Sequence, residues 1–446
     1  MTTPSGAPRP FAAVGSARPT WRPGLAAASV AVAAILLAFV GLLAARPDVA
    51  LLGAPMLLTV AYALARPRGV PAVRLREQHV RAEAGRFTGA LEIDDGGAST
   101  VRLRVSTPGF RSVEALLAAD ARAEVAVVSA RTGPQEFFRT DWIAEGVDAA
   151  FVTEPRLVPA VRVTVEPAMH ALGQQPLPFR LLGLTGAHTG RRPGDGDDLH
   201  DIAPFAPGDR LRRIDWRVTA RRGTQSGAAT ELYVRRTRAR ADAVVMLVVD
   251  SRDDVGADVV TWAGGIPVPR DEPTSLDIAR EAAASIGRAF LAGGDRVGLE
   301  DLSVRRRGVR PGSGRAHLDR ITYRLALSRP EGDPSRRLRP PQVPSGALVV
   351  LVSTFLDAQS ARMARLWRAS GHRVVAVDVL PATRTDRLDD AELTAYRLVA
   401  LARSTALERL VREGVELVSW TGPGGPVAAS VALAALRRAR PAEARR

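Results

Sequence analysis

The chain has no cysteine, and none of its 446 residues is lysine, so all 62 of its basic residues are arginine. Each absence closes off chemistry. Without cysteine there is no thiolate nucleophile, no cysteine-ligated zinc or iron–sulfur cluster, and no disulfide. Without lysine there is no Schiff base and no Walker A loop, which needs a lysine on the β- and γ-phosphates. The six histidines include no H-E-x-x-H pair, and Gly312-Ser313-Gly314 does not meet the G-x-S-x-G pattern of a nucleophile elbow. The net charge of +15 is a weak guide to partners, because arginine fills surface positions that lysine normally shares. A hydrophobic content of 46% is that of a globular chain.

What is present begins with two apolar runs. Leu25 to Ala45 is uncharged over 21 residues, which at ~1.5 Å per residue spans roughly 30 Å, one bilayer core. After Arg46-Pro47-Asp48, Val49 to Ala65 adds 17 more. So short a link predicts a tight helical hairpin. Arg9, Arg18 and Arg22 precede it, and Arg66 and Arg68 follow it. The positive-inside bias therefore places both flanks in the cytoplasm. A cleaved signal peptide would leave the second run unexplained.

Beyond the hairpin the pattern changes twice. From Val70 to Pro167, short alternating segments separated by Gly, Asp and Pro predict an all-β, sandwich-like domain, with Phe137, Phe138 and Trp142 in its packing. A charged, Pro/Gly-rich segment follows, about Leu172 to Arg240. Then fully apolar strands at Ala243–Asp250 and Ala347–Ser353 alternate with helical periods. Strand–helix alternation with apolar strands predicts a parallel sheet covered on both faces, the doubly wound α/β class. In that class, functional residues follow the strand C-termini. Here those are the loops Asp250–Gly256, Ser353–Asp357 and Thr421–Gly425.

Pro204-Phe205-Ala206-Pro207-Gly208-Asp209, then Arg212-Arg213-Ile214-Asp215-Trp216, then Ala220-Arg221 closely resemble the signature of the family called domain of unknown function 58. Phe205 stands where that family usually has tyrosine. The resemblance implies two membrane spans, a β-domain, the signature and a von Willebrand factor type A-like domain. It also implies a partner, a MoxR-type AAA+ ATPase, for which the protein would act as an adaptor or assembly factor. The signature residues are read as a clamp and partner surface. Leu211, Ile214 and Trp216 would be its apolar anchors, and Asp209 and Asp215 would pair with arginines.

Type A domains often hold Mg²⁺ on an Asp-x-Ser-x-Ser loop. Here the loop is Asp250-Ser251-Arg252-Asp253-Asp254, and Thr354 stands where a carboxylate is usual. Two arrangements fit. Arg252 can pair with Asp250 in a degenerate site, or Asp250, Asp253 and Asp254 can gather Mg²⁺. No catalytic residue and no other cofactor is assigned. Asp195 to Asp201 lacks the ligand spacing of an EF-hand and reads as a solvated turn. The arginine runs Arg210–Arg222, Arg235–Arg240 and Arg305–Arg310 carry too few aromatics for single-strand binding, and Asp209 and Asp215 would repel phosphates.

The expected organisation is a disordered cytoplasmic tail (1–24), a transmembrane hairpin (25–68), the β-sandwich-like domain (70–167), the signature segment (172–240) and the type A-like α/β domain (241–440). The expected role is a non-enzymatic, multi-pass docking or assembly protein of the cell (inner or plasma) membrane, with its soluble domains in the cytoplasm. The alternatives are a metal-dependent enzyme using the Asp250 loop, and a nucleic-acid or anionic-lipid binder. Protease added outside intact spheroplasts should spare everything after Arg66; loss of that region reverses the topology.

Overall fold

The computed structural model describes residues 19–66, 69–78, 86–94, 96–106, 112–181, 186–226, 231–303, 308–330 and 339–438. Outside them lie residues 1–18 of the expected tail, the end of the first strand candidate (79–80), Arg305–Arg307 of the third arginine run, residues 182–185 and 227–230 of the signature segment, and residues 439–440 of the last expected domain. The chain divides into two compact units, Met1–Val165 with Pro269–Asp271, and Glu166–Val268 with Glu272–Arg446.

In the first unit, part of the expected tail is instead a strand, β1 (Trp21–Pro23), which leads directly into α1 (Leu25–Leu43). The return helix runs through α2 (Pro47–Leu51) and α3 (Gly53–Ala65). Leu25–Leu43 and Pro47–Ala65 are each long and apolar enough to cross a membrane. Small residues let the two helices meet: a Cβ on Gly41 would lie 2.4 Å from the Ala50 nitrogen, and one on Gly53 2.8 Å from the Ala34 oxygen. The two ends of the hairpin meet as well, since Trp21 Nε1 donates to the Gly69 carbonyl at 3.0 Å.

Ten further strands follow in this unit: β2 (Ala72–Gln78), β3 (Arg86–Asp94), β4 (Thr100–Ser106), β5 (Ser112–Ala118), β6 (Arg122–Val128), β7 (Gly133–Phe137), β8 (Arg139–Glu145), β9 (Phe151–Thr153), β10 (Arg156–Val158) and β11 (Val161–Val165). They pair antiparallel in sheets ordered β1-β9-β8-β4-β5 (with β10 on β8), β2-β3-β6 and β11-β7. Alternate residues of β4 (Val101, Leu103, Val105) and of β8 (Trp142, Ala144) share one core with Leu91 of β3 and with Phe137 and Phe138. Period-two patterning thus buries one face of each sheet against the other.

In the second unit, residues from Glu166 onward form an extended strap. Met169, Leu172 and Leu177 pack on the main core, and the Gly173 nitrogen donates to Ser430 Oγ at 2.9 Å. A long ribbon follows, β12 (His188–Pro204) paired with β13 (Tyr233–Ala241), with α4 (Trp216–Ser226) between the two strands. The signature is therefore built into this unit and is not a separate segment. Asp195 to Asp201 is bulged strand in β12 rather than the expected turn.

The central sheet has six strands: β14 (Val244–Val249), β15 (Arg296–Asp301), β16 (Val309–Gly312), β17 (Leu348–Ser353), β18 (Arg373–Asp378) and β19 (Glu416–Ser419). Their order is β16-β15-β14-β17-β18-β19, and all are parallel except the edge strand β16. Residues of α5 (Ser275–Ala292), α6 (Arg315–Leu327) and α9 (Gly425–Arg438) join the core on one face. Those of α7 (Ala358–Ala369) and α8 (Asp390–Arg412) join the core on the other. Covered twice, β14 and β17 can be apolar throughout, as their sequences are. The strand order reverses between β14 and β17, which makes their C-terminal ends the place where such folds form sites.

Candidate functional site

Asp250 follows β14, and Ser353 ends β17, its neighbour in the sheet. Both Asp250 oxygens are occupied by Arg252, with Nε to Oδ1 at 2.8 Å and Nη2 to Oδ2 at 2.7 Å. Oδ2 also accepts from Ser353 Oγ and Ser360 Oγ, each at 2.8 Å. The same guanidinium reaches Asp357 at 2.5 and 3.0 Å, and Ser360 Oγ at 3.0 Å. Asp357 is the N-cap of α7 and accepts from the nitrogens of Gln359 and Ser360. The Arg252 side chain is 4% exposed, so two strand ends and a helix start converge on one buried cation.

Burial acts against the charge on Arg252. The hydrogen bonds and field of Asp250, then of Asp357, outweigh it and hold the guanidinium pKa above its usual value. Burial also acts against the Asp357 carboxylate, but its bonds to Arg252 and to the α7 nitrogens leave its pKa lowered. Asp253 feels the charge of Arg252 only weakly. Burial, then the charge of Asp250, push its carboxyl pKa up, and one hydrogen bond from Thr354 Oγ1 at 3.0 Å only partly opposes this. Asp301, at the end of β15, is likewise raised by burial, against hydrogen bonds from Ser251 and Ser303. Phe355 completes the loop after β17. It sits at φ 54 although it is not glycine, and it is buried to 1% exposure. Packing of the ring holds a backbone conformation that costs energy.

These residues do not fit Mg²⁺. The carboxylate that would lead the ligand set is saturated by a guanidinium and two hydroxyls, and Asp254 is exposed with no partner among the described residues. Among the described residues no group of three or more His, Asp or Glu side chains could hold a metal ion. The Mg²⁺ alternative for Asp250, Asp253 and Asp254 is corrected on that ground: Arg252 supplies the positive charge. Sequence reasoning missed Asp357 and Ser360 as its partners. An aspartate placed just before a helical period is an N-cap signal and could have pointed to the first.

The signature lies elsewhere. β13 runs into β14, so its Ala241 end borders the N-terminal edge of the sheet. Its Tyr233 end is roughly 26 Å further along the ribbon at ~3.3 Å per residue. There Gly208 adopts φ 99 in a turn that Asp209 closes by accepting from the Ala206 nitrogen at 2.9 Å. Asp209 also pairs with Arg236 at 3.0 Å, and this partner, then the Ala206 bond, hold its pKa below the usual value. Arg213 donates to Gly194 O and pairs with Asp195, which Arg210 shares at 2.9 Å. Thr219 Oγ1 accepts from the Tyr233 nitrogen at 3.0 Å, and Arg222 lies over the Tyr233 ring.

Two expectations for the signature fail. Asp215 pairs with no arginine among the described residues; its Oδ1 accepts from the Val218 nitrogen at 3.1 Å at the start of α4. Trp216 and Leu211 are not buried anchors, being 66% and 69% exposed. The cause is local: Asp215 as N-cap sets the helix phase so that Thr219 faces β13, and Trp216, Arg217, Ala220 and Arg221 turn outward with Arg212. A hydrophobic letter beside aspartate reads as an anchor in sequence, whereas the phase of a helix is a three-dimensional fact.

Residues 201–394 match the family described as Protein of unknown function DUF58. That range takes in α4 and the Asp250–Arg252–Asp357 cluster together. Uncharacterised proteins of Mycobacterium bovis and of two strains of Mycobacterium tuberculosis are each 27% identical to the chain over 209 residues, which are 44% of this chain and 59% of theirs. The chain thus spans less than two thirds of the length of the curated relatives it matches.

Replacing Arg252 by alanine strands the buried Asp250 carboxylate and removes the cation from the half-exposed Asp357. Urea unfolding should show a loss of about 3–5 kcal/mol, with Arg252→Lys recovering only part because a compact ammonium cannot reproduce the planar fork that bonds both Asp250 oxygens while reaching Asp357. Asp253 gives a pH signature. Its folded pKa lies above the ordinary 3.8, so the folded state holds the extra proton, and the stability it contributes at low pH is lost as pH rises through that pKa. Asp253→Asn should therefore be more stable than the parent at neutral pH. The difference should close as pH falls below 3.8, as read by thermal melting across pH.

Proposed function

We propose that this chain is a membrane-anchored docking or assembly protein, multi-pass in the cell membrane with its folded units in the cytoplasm, that works with a MoxR-type AAA+ ATPase. The observation that carries this reading is the outward face of the signature. Asp195, Asp209 and Asp215 are all consumed inside the segment. Trp216 and Leu211 are left exposed beside Arg212 and Arg217, which have no partners among the described residues. Exposed tryptophan flanked by arginine is the composition of an interaction hot spot, and nothing in the packing of α4 requires the indole. Two helices of membrane-crossing length support the anchor.

The α/β unit is read as von Willebrand factor type A-like, with a degenerate metal-ion-dependent adhesion site in which Arg252 takes the place of the cation. This supports a binding role over the metal-dependent enzyme, because the fold's usual site for chemistry is closed by an ion pair. The adaptor role rests on the resemblance of the signature.

The full chain in nanodiscs should retain a MoxR-type AAA+ ATPase from the same organism in at least one nucleotide state. Trp216→Ala combined with Arg212→Ala should reduce retention at least tenfold at an unchanged melting temperature. Failure to co-purify with ATP, with ADP and without nucleotide overturns the reading.

A further inference from the structure

Helix α8 has 23 residues, yet only Leu407 and Leu410 are buried. Its first two-thirds runs over the surface with Leu398 65% and Leu401 64% exposed. Between Glu392 and Glu408 it carries Arg397 and Arg403 and no acid. Beside it, at the C-terminal end of β18, opens a cleft of about 230 Å³ lined by Trp262, Leu356, Leu380, Tyr396, Val399 and Arg403.

The walls of this cleft are set in advance. Trp262 and Tyr396 pack edge to face at 6.0 Å, Trp262 Nε1 donates to Gly256 O at 2.9 Å, and the Tyr396 hydroxyl bonds Thr383 Oγ1 at 2.7 Å. In the floor, Arg403 donates through Nε to Thr354 O and through Nη2 to Asp378, an acid that also lines the cleft and neutralises it. The cleft is smaller than the ~300–1,000 Å³ of small-molecule sites. It suits a single large side chain, and the apolar face of α8 continues from Val399 at its rim.

We propose that the cleft and the outer face of α8 dock an amphipathic helix of a partner protein. The partner's apolar stripe lies along Leu398 and Leu401, one large apolar side chain enters the cleft, and acidic residues on its flank meet the exposed Arg397. Helix-in-groove recognition uses this combination of an i/i+3/i+4 apolar stripe with an anchor, and along α8 from 393 to 407, where there is no acid, Arg397 favours negative charge on the partner. This surface shares no residue with the Trp216 face and stands whether or not the ATPase reading holds.

The test uses the full chain in zwitterionic nanodiscs and a fluorescent synthetic five-turn helix, leucine and phenylalanine on one face and glutamate on the other, read by anisotropy against empty discs. Saturable binding is expected, at least tenfold weaker for the same peptide with lysine in place of glutamate, and at least tenfold weaker for Val399→Glu. Leu398→Glu, on a side chain already in solvent, should weaken it likewise and covers the case in which Val399→Glu fails to fold. Trp216→Ala should leave it unchanged. Absence of saturable binding, equal binding of the two peptides, or insensitivity to Leu398→Glu overturns the proposal. So does self-association of the chain abolished by Leu398→Glu, which assigns the face to a second copy, or pelleting with phosphatidylglycerol vesicles abolished by it, which assigns the face to lipid.

Discussion

The guanidinium of Arg252 holds together three pieces of chain that apolar packing alone leaves free. The interiors of β14 and β17 are uniformly aliphatic and would tolerate many loop arrangements at their ends, because hydrophobic burial is not directional. Five donor groups in a rigid plane remove that freedom. They tie Asp250 after β14 to Asp357 at the start of α7, while Ser353 and Ser360 fill the remaining acceptor sites on Asp250. The Arg252–Asp250 pair is so deeply buried that it adds little net stability, since desolvation offsets much of the attraction, but a mispaired alternative would cost several kcal/mol. Its role is to select one geometry at the switch point of the sheet.

That selection separates the second unit into two chemically different ends. At the C-terminal end of the sheet, charge is satisfied internally and apolar surface is left over at the α8 cleft. At the far end of the β12–β13 ribbon, acids are spent on turns, strand partners and a helix cap, so arginines and Trp216 are left over. Buried charge is thus matched within the unit, and apolar and basic groups are left exposed at two separate places.

The first unit follows a different constraint. The hairpin ends are brought together by β1 and by the Trp21–Gly69 hydrogen bond, and Ala63, Ala150 and Phe151 pack where the helices meet the β-domain. Both helix ends are thus anchored in one folded body.

The sequence by itself determined the elements with long-range consequences: two bilayer-length apolar runs, alternating strands up to about residue 167, and then apolar strands interleaved with helical periods. These rest on periodicity and on burial of whole faces, which a linear pattern records. It also determined which acids and arginines were candidates at the Asp250 loop. The tertiary structure alone decided that Arg252 faces Asp250 and Asp357 together, that Trp216 points to solvent, that Asp215 caps a helix, and that the acidic run from Asp195 pairs along a strand. Each of these depends on helix phase, strand register or the meeting of residues about a hundred positions apart. Charge attraction in sequence is indifferent to such partners until the backbone sets them within a few ångströms.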